Sequence, residues 1–343
     1  MLRTRVLRSS LAFAAGAAGL HLASDLRARQ EGQSRIAAAH CDDKKLSNSA
    51  FVFVKPHANT TATQKLVKDS FAAKGIKVVA EGELTAEQID QGLLIDQHYY
   101  AIASKATILK PTEVPIPKDK FKDAFGMELD EAFKQGLVFN ALDACTYLSL
   151  DAAALDAAWG PSKKVKMGGG FYVAEIIPDP KLGKAKRIFV LNGFFMSMRS
   201  KFVTKGTSIH YYVVDFDPSK LSWADFRGKV LGPTDPKTAP ADSLRGKIAT
   251  EWRQLGLDYE PNVGDNGVHA SASPFEGLSE KMNWLKIAPE KDAYGAKLLA
   301  SGISKPTIVE WTKDPQVKGK SLFDQLEDLD VDDSVAKAVS LAK

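Results

Sequence analysis

The chain has 343 residues, 44% of them hydrophobic and 26% charged, an ordinary globular balance long enough for one large core or two smaller ones. A formal net charge of +4 is too mild to demand nucleic acid or an anionic membrane as a partner. The two cysteines, Cys41 and Cys145, stand far apart with no C-x-x-C spacing, so a zinc site or disulfide framework is not expected and a reducing or neutral compartment fits.

Residues 1–24 carry Arg3, Arg5, Arg8, Ser9, Ser10 and Ser24 and no acidic residue; Asp25 is the first carboxylate. That composition is the signature of an organelle transit peptide, mitochondrial first and plastid as the alternative, with a secretory signal or membrane anchor also open. The apolar run Leu11 to Ala23 contains His21 and is shorter than the roughly 20 residues a membrane span needs, so inner-membrane association is the most it implies. Residues 25–48 are polar, mixed in charge and read as a linker.

Phe51 to Val54 is a short apolar run, as expected of a central strand. Thr60 to Gly75 places Leu66, Val67, Phe71 and Ala72 at helical spacing, with Thr60 or Thr61 to cap the start and Gly75 to end it. Ile76 to Ala80 reads as a second strand, and Thr85 to Tyr100 as helix in one or two pieces. Strand, helix, strand, helix is how a ferredoxin-like sandwich begins. Asp130 to Leu150 looks helical from Phe133, Leu137, Phe139, Leu142 and Leu148. Met167 to Tyr172, with three consecutive glycines, reads as a flexible turn before a strand; without a following Lys-Ser/Thr it is not a phosphate loop. Ile209 to Phe216 has two largely apolar faces, as in a central strand, and Ser222 to Val230 is a plausible helix. Leu322 to Ala342 is acidic and then helical in composition, suited to docking on the core or on a partner, and Gly319-Lys320-Ser321 reads as a surface turn.

The chemistry concentrates in Asn266-Gly267-Val268-His269-Ala270-Ser271-Ala272-Ser273, followed by Glu280 and Trp284. Neutral imidazole is a good nucleophile near neutral pH and can carry a phosphoryl group covalently. Four upstream segments keep company with it: Phe51-Val52-Phe53-Val54-Lys55-Pro56, His98-Tyr99, Leu231-Gly232-Pro233-Thr234-Asp235-Pro236 and Ala241-Asp242-Ser243-Leu244-Arg245-Gly246. Together these resemble the nucleoside diphosphate kinase family, whose histidine motif reads N-x-x-H-G-S-D-S. Its first strand ends in Lys-Pro, and its H-Y, L-G-x-T-[ND]-P and S-x-R-G segments follow in this order.

The resemblance implies an α+β fold: a ferredoxin-like sandwich with a four-stranded antiparallel sheet. It divides the chain into a transit peptide and linker (1–48), a kinase-like domain (49–285) and a C-terminal extension (286–343). Residues 101–191 match nothing in the family, and so form an insertion of about ninety residues, after which Asn192-Gly193-Phe194-Phe195 resembles the family's R-P-F-F. A second insertion lies around residues 250–261.

By the same resemblance His269 takes the γ-phosphate of ATP or another nucleoside triphosphate and passes it to a nucleoside diphosphate. Glu280 orients the ring and Ser271 supports the pair. Lys55, Tyr99, Thr234 and Arg245 match phosphate and sugar ligands, Asn266 the ribose contact, and Phe194 and Val263 the residues either side of the base. Mg2+ arrives with the nucleotide, held by phosphates and water rather than by a protein metal site. A homo-oligomer or a place in a larger complex is implied as well. Departures stand at Gly228 and Asn192, where the family has arginines, at Asp265, which replaces another, and at Ala270 and Ala272. Each lost cationic contact costs about 1–3 kcal/mol, so the alternative is a catalytically weak or inactive nucleotide-binding or structural subunit of a mitochondrial assembly. His57, His98 and His210 read as structural or surface histidines.

Overall fold

The computed structural model describes residues 46–168 and 170–343; the N-terminal segment read above as a transit peptide, Cys41 and Gly169 lie outside the described residues. Strand β1 (Asn48–Val54) is buried along its whole length. Its alternation divides the core. Ala50, Val52 and Val54 join a cluster on one face of the sheet, while Phe51 and Phe53 join another on the opposite face. Helix α1 (Thr61–Ala73) starts where the Thr60 side chain accepts from Thr63 N, and Gly75 follows it at φ 69°, a left-handed position that suits glycine. Val67 and Phe71 pack it onto the first face.

Strand β2 (Lys77–Thr85) is longer than Ile76 to Ala80, because it pairs with a later strand as far as Thr85↔Ser208. Helix α2 (Ala86–Gln91) opens with a capping box of Thr85 and Gln88. Helix α3 (Leu94–His98) follows after Leu93, held at φ 48°, so the expected helix is indeed broken.

Segment 101–191 builds a sheet of its own. Strands β3 (Val138–Asn140), β4 (Lys163–Gly168), β5 (Phe171–Ile176) and β6 (Ile188–Leu191) lie in the order β3-β6-β5-β4, with β3 and β6 parallel. The single helix expected over Asp130 to Leu150 does not form. Gly136 at φ 65° ends a helix over Leu129–Lys134. β3 then pairs with β6, and the Asn140 side chain caps a new helix over Ala141–Leu148. The glycine-rich turn joins β4 to β5 as a hairpin.

Helix α4 (Phe195–Val203) leads to β7 (Ser208–Phe216), then helix α5 (Leu244–Glu251) to β8 (Val268–Ala270) and helix α6 (Pro274–Leu285). Between β7 and α5 the expected helix is reduced to Trp223–Asp225, running into a wider π-type turn over Phe226–Leu231. The main sheet has the order β2-β7-β1-β8 and is antiparallel throughout. α1 and α5 cover one face; α2, α3 and Trp284 of α6 cover the other. The C-terminal region docks on the core: helices Ala293–Ala300, Lys305–Trp311, Leu322–Leu326 and Val331–Ala342 bury apolar residues against Phe275 and Leu278 of α6. Gly319, at φ 81°, sits in the tight turn of a two-residue hairpin, as the sequence suggests. Among the described residues no helix is long and apolar enough to cross a membrane.

Candidate functional site

His269 lies in the middle of β8, against Phe53 of β1, with ring centroids 4.8 Å apart. Further along the chain, α6 brings Glu280 beneath it. His269 Nε2 is 2.5 Å from Glu280 Oε1. Ser271 Oγ lies 2.5 Å from Glu280 Oε2 and also accepts from Phe51 N at 2.9 Å. The strand–turn–helix geometry is local: Ser273 caps α6 by accepting from Glu276 N, and Pro274 occupies its first turn. Gly277 lets α6 approach β1, since a Cβ there would lie 2.6 Å from Ser49 O.

Burial drives both partners toward neutrality. It holds His269 well below the ordinary imidazole value, helped by the positive charges of Lys55, Arg245 and Arg227, and pushes Glu280 up to about 8. A neutral His269 with Nε2 engaged by Glu280 leaves Nδ1 as the free ring nitrogen; among the described residues no group hydrogen-bonds it.

His269 lines a cavity of about 490 Å³ together with Thr234, Arg245, Arg227, Gly228, Glu276 and the C-terminal Glu327 and Asp328. Arg245 donates from Nη1 to Gly232 O at 2.7 Å and from Nη2 to Val268 O at 3.0 Å; burial and Arg227 lower its pKa to about 10. Gly228, on the cavity wall, offers no side chain. Arg227 beside it is held by Glu327 at 2.6 Å and Asp328 at 2.7 Å. Burial and the Glu280 charge push the Glu276 carboxyl up to about 8, against an opposing hydrogen bond from Ala272 N.

A second cavity of about 270 Å³ holds Lys55, Tyr99, Phe194, His57, Lys201 and Asp265. Lys55 Nζ donates to Gly264 O at 3.0 Å, and burial, with Arg245 next, lowers its pKa to about 8. Burial raises Tyr99 to about 12. The structure thus groups His269, Thr234 and Arg245 around one cavity and Lys55, Tyr99 and Phe194 around the other. Asn266 and Val263 line neither. Asn266 is 2% exposed and donates to Thr234 O at 3.0 Å, steadying that loop, while Val263 is 55% exposed.

Asp265 is not a bare negative charge. Lys201 pairs with both its oxygens at 2.8 and 2.9 Å, and Tyr259 OH donates to it at 3.0 Å. Asn192 holds the chain itself, accepting from Tyr172 N and donating to Ile102 O and Gly170 O. His98, read from sequence as structural or surface, stands against the His269–Glu280 pair. Its ring packs edge-on to His269 at 4.6 Å, with Nδ1 3.4 Å from Glu280 Oε1 and accepting from Trp284 Nε1. Its adjacency to Tyr99 in the H-Y pair was the available signal. Ligand atoms of His98, His269 and Glu280 lie within 4.8 Å of one another.

No protein-family model matches the chain, and no curated protein matches it. Among solved structures it is similar to nucleoside diphosphate kinase from Encephalitozoon cuniculi at 14% identity and a TM-score of 0.34, over 69% of this chain and 88% of that one. It is also similar to an NDP kinase from Pyrobaculum aerophilum at 15% identity and a TM-score of 0.31, over 70% and 96% respectively. At these scores the likeness carries no argument about activity, which has to come from the chain's own geometry.

Proposed function

We propose that this chain is a nucleotide-binding phosphotransferase of the nucleoside diphosphate kinase type, built on a ferredoxin-like frame into which residues 101–191 are inserted. The observation that carries the reading is a His269 held toward its neutral form, with Nε2 2.5 Å from a buried Glu280 and Nδ1 unbonded among the described residues, in a residue that lines a cavity also presenting two arginines. The Nδ1 lone pair attacks the terminal phosphorus of a nucleoside triphosphate, and the bond to the leaving diphosphate oxygen breaks. The Nε2 proton stays on its hydrogen bond to Glu280. An acceptor diphosphate oxygen then takes the phosphoryl group and frees Nδ1.

In this reading a magnesium ion arrives on the nucleotide and is held by phosphate oxygens and water. Glu327 and Asp328 each give one oxygen to Arg227, and Glu276 gives one to Ala272 N. When bound, Mg2+ supplies charge neutralisation on the phosphates.

A weaker or inactive nucleotide-binding subunit is the second reading, favoured by one observation: the first cavity's two arginines are already engaged, Arg227 by carboxylates and Arg245 by carbonyls. Incubating the full chain with γ-labelled ATP, beside His269→Ala, decides between them. Acid-labile, base-stable label on wild type alone, transferable to GDP, supports the kinase. Label that does not transfer supports the crippled relative, and no label on folded protein removes the enzymatic reading. Mitochondrial residence, with a plastid as alternative, and assembly as a homo-oligomer or larger complex belong to the same proposal. Imaging of a fusion of residues 1–48 and sedimentation of the native protein test them.

A further inference from the structure

The acidic turn at Glu327-Asp328 stands at the cavity that holds His269. Arg227 Nη1 meets Glu327 Oε1 at 2.6 Å and Asp328 Oδ1 at 2.7 Å. Two carboxylate oxygens therefore compete at Nη1 with any phosphate, because guanidinium recognises carboxylate and phosphate oxygens in the same way. The turn is fastened to the site itself. Asp328 N donates to Ala272 O, three residues beyond His269, at 3.0 Å. Asp330 Oδ1 accepts from Trp223 N at 2.8 Å and from Asn48 Nδ2 at 2.7 Å. Leu326 and Val331, on either side, are 0% and 1% exposed. A turn pinned to β1, to the segment just after β8 and to the core cannot swing away as a lid does. Its charge is a permanent part of the cavity, where it offsets the charges of Arg227 and Arg245.

We propose that Glu327 and Asp328 are specificity-determining residues of this cavity: they compete with ligand phosphate for Arg227 and so limit how much phosphate charge the cavity retains. The inference rests on the phosphate-binding part of the function proposed above, and extends it from which residue reacts to which anion is held. The more highly charged the anion, the more it loses to the fixed carboxylates, so pyrophosphate is penalised more than orthophosphate.

The test is calorimetric titration of the full chain with pyrophosphate and with orthophosphate. Three proteins are compared: wild type, E327Q/D328N, and E327Q/D328N carrying R227Q as well. Both substitutions in the double variant keep side-chain size, and Asn suits the left-handed φ of 60° at position 328. The double variant is expected to bind pyrophosphate about tenfold more tightly than wild type and orthophosphate about threefold, with the added R227Q removing most of that gain. Unchanged or weaker pyrophosphate binding, no binding by any of the three, or a gain undiminished by R227Q overturns the proposal. The outcome is separable from the kinase reading. Label on wild-type His269 with no gain in the double variant sinks this proposal alone, and a gain without label sinks the kinase alone.

Discussion

Ser271→Ala tests the His269–Glu280 pair at its least replaceable point. Strand β8 ends at Ala270, but the Ser271 hydroxyl carries the β1–β8 ladder one rung further: Ser271 N donates to Phe51 O at 3.0 Å, and Phe51 N donates back to Ser271 Oγ at 2.9 Å. The same hydroxyl meets Glu280 Oε2. Ser271 is 0% exposed, and Phe51 likewise, so water cannot replace the lost partner. Truncation leaves one backbone donor and one carboxyl oxygen without a hydrogen bond, at about 1–3 kcal/mol each. A loss of about 3 kcal/mol is therefore expected, with little added for the small void. Urea unfolding followed by tryptophan fluorescence reads it as a lower midpoint at unchanged slope. Because Glu280 loses a constraint, the His269 imidazole should also lose its single well-defined Nε2–H environment by nitrogen NMR. A destabilisation below about 1 kcal/mol, with the imidazole signals unchanged, would refute the claim that Ser271 holds the pair together.

Three further outcomes follow from the same packing. Lys281 and Asp292 are both 0% exposed and 2.5 Å apart. Lys281→Met should cost about 3–5 kcal/mol by stranding a buried carboxylate; adding Asp292→Asn should recover part of that in the same urea assay, and no recovery would show that the charge is not stranded. Gly277→Ala should lower the melting temperature and His269 labelling together, since the new Cβ meets Ser49 O at 2.6 Å and pushes α6, with Glu280, away from β1; an unchanged melting temperature would deny that close approach. Glu276 is raised from 4.5 to about 8 in the folded chain. The stability carried by its neutral form is thus complete below about 4.5 and disappears as pH rises through about 8. The buried histidines act the other way: the stability from holding His57, His98 and His269 neutral is present above about 6.5 and lost as pH falls. They cancel in the difference between wild type and Glu276→Gln. That difference in urea midpoint should move against wild type between pH 5 and pH 8, and a flat difference would mean that Glu276 titrates as an exposed carboxylate.

Elements held together by their own neighbours were legible in the sequence. The apolar run of β1, the Thr60 cap and Gly75 stop of α1, and the surface turn at Gly319 follow from local pattern and backbone preference. The pairing of His269 with Glu280 was implied by the family resemblance alone; in the structure a strand, a capped turn and the first turns of α6 bring the two side chains together within eleven residues. β3 was not legible. A three-residue strand has too few positions for a period to show, and its partner β6 lies about fifty residues away. The surroundings of His269 were decided by tertiary structure in the same way. Arg227 meets Asp328 across 101 positions of sequence, Lys201 meets Asp265 across 64, and His98 reaches Trp284 across 186. Which charges face a ligand and which face each other depends on how distant segments pack, and residue spacing along the chain carries no record of that. The sequence by itself marked His269 and, through the family resemblance, Glu280; the folded chain decided which cations stand around them and which are paired elsewhere.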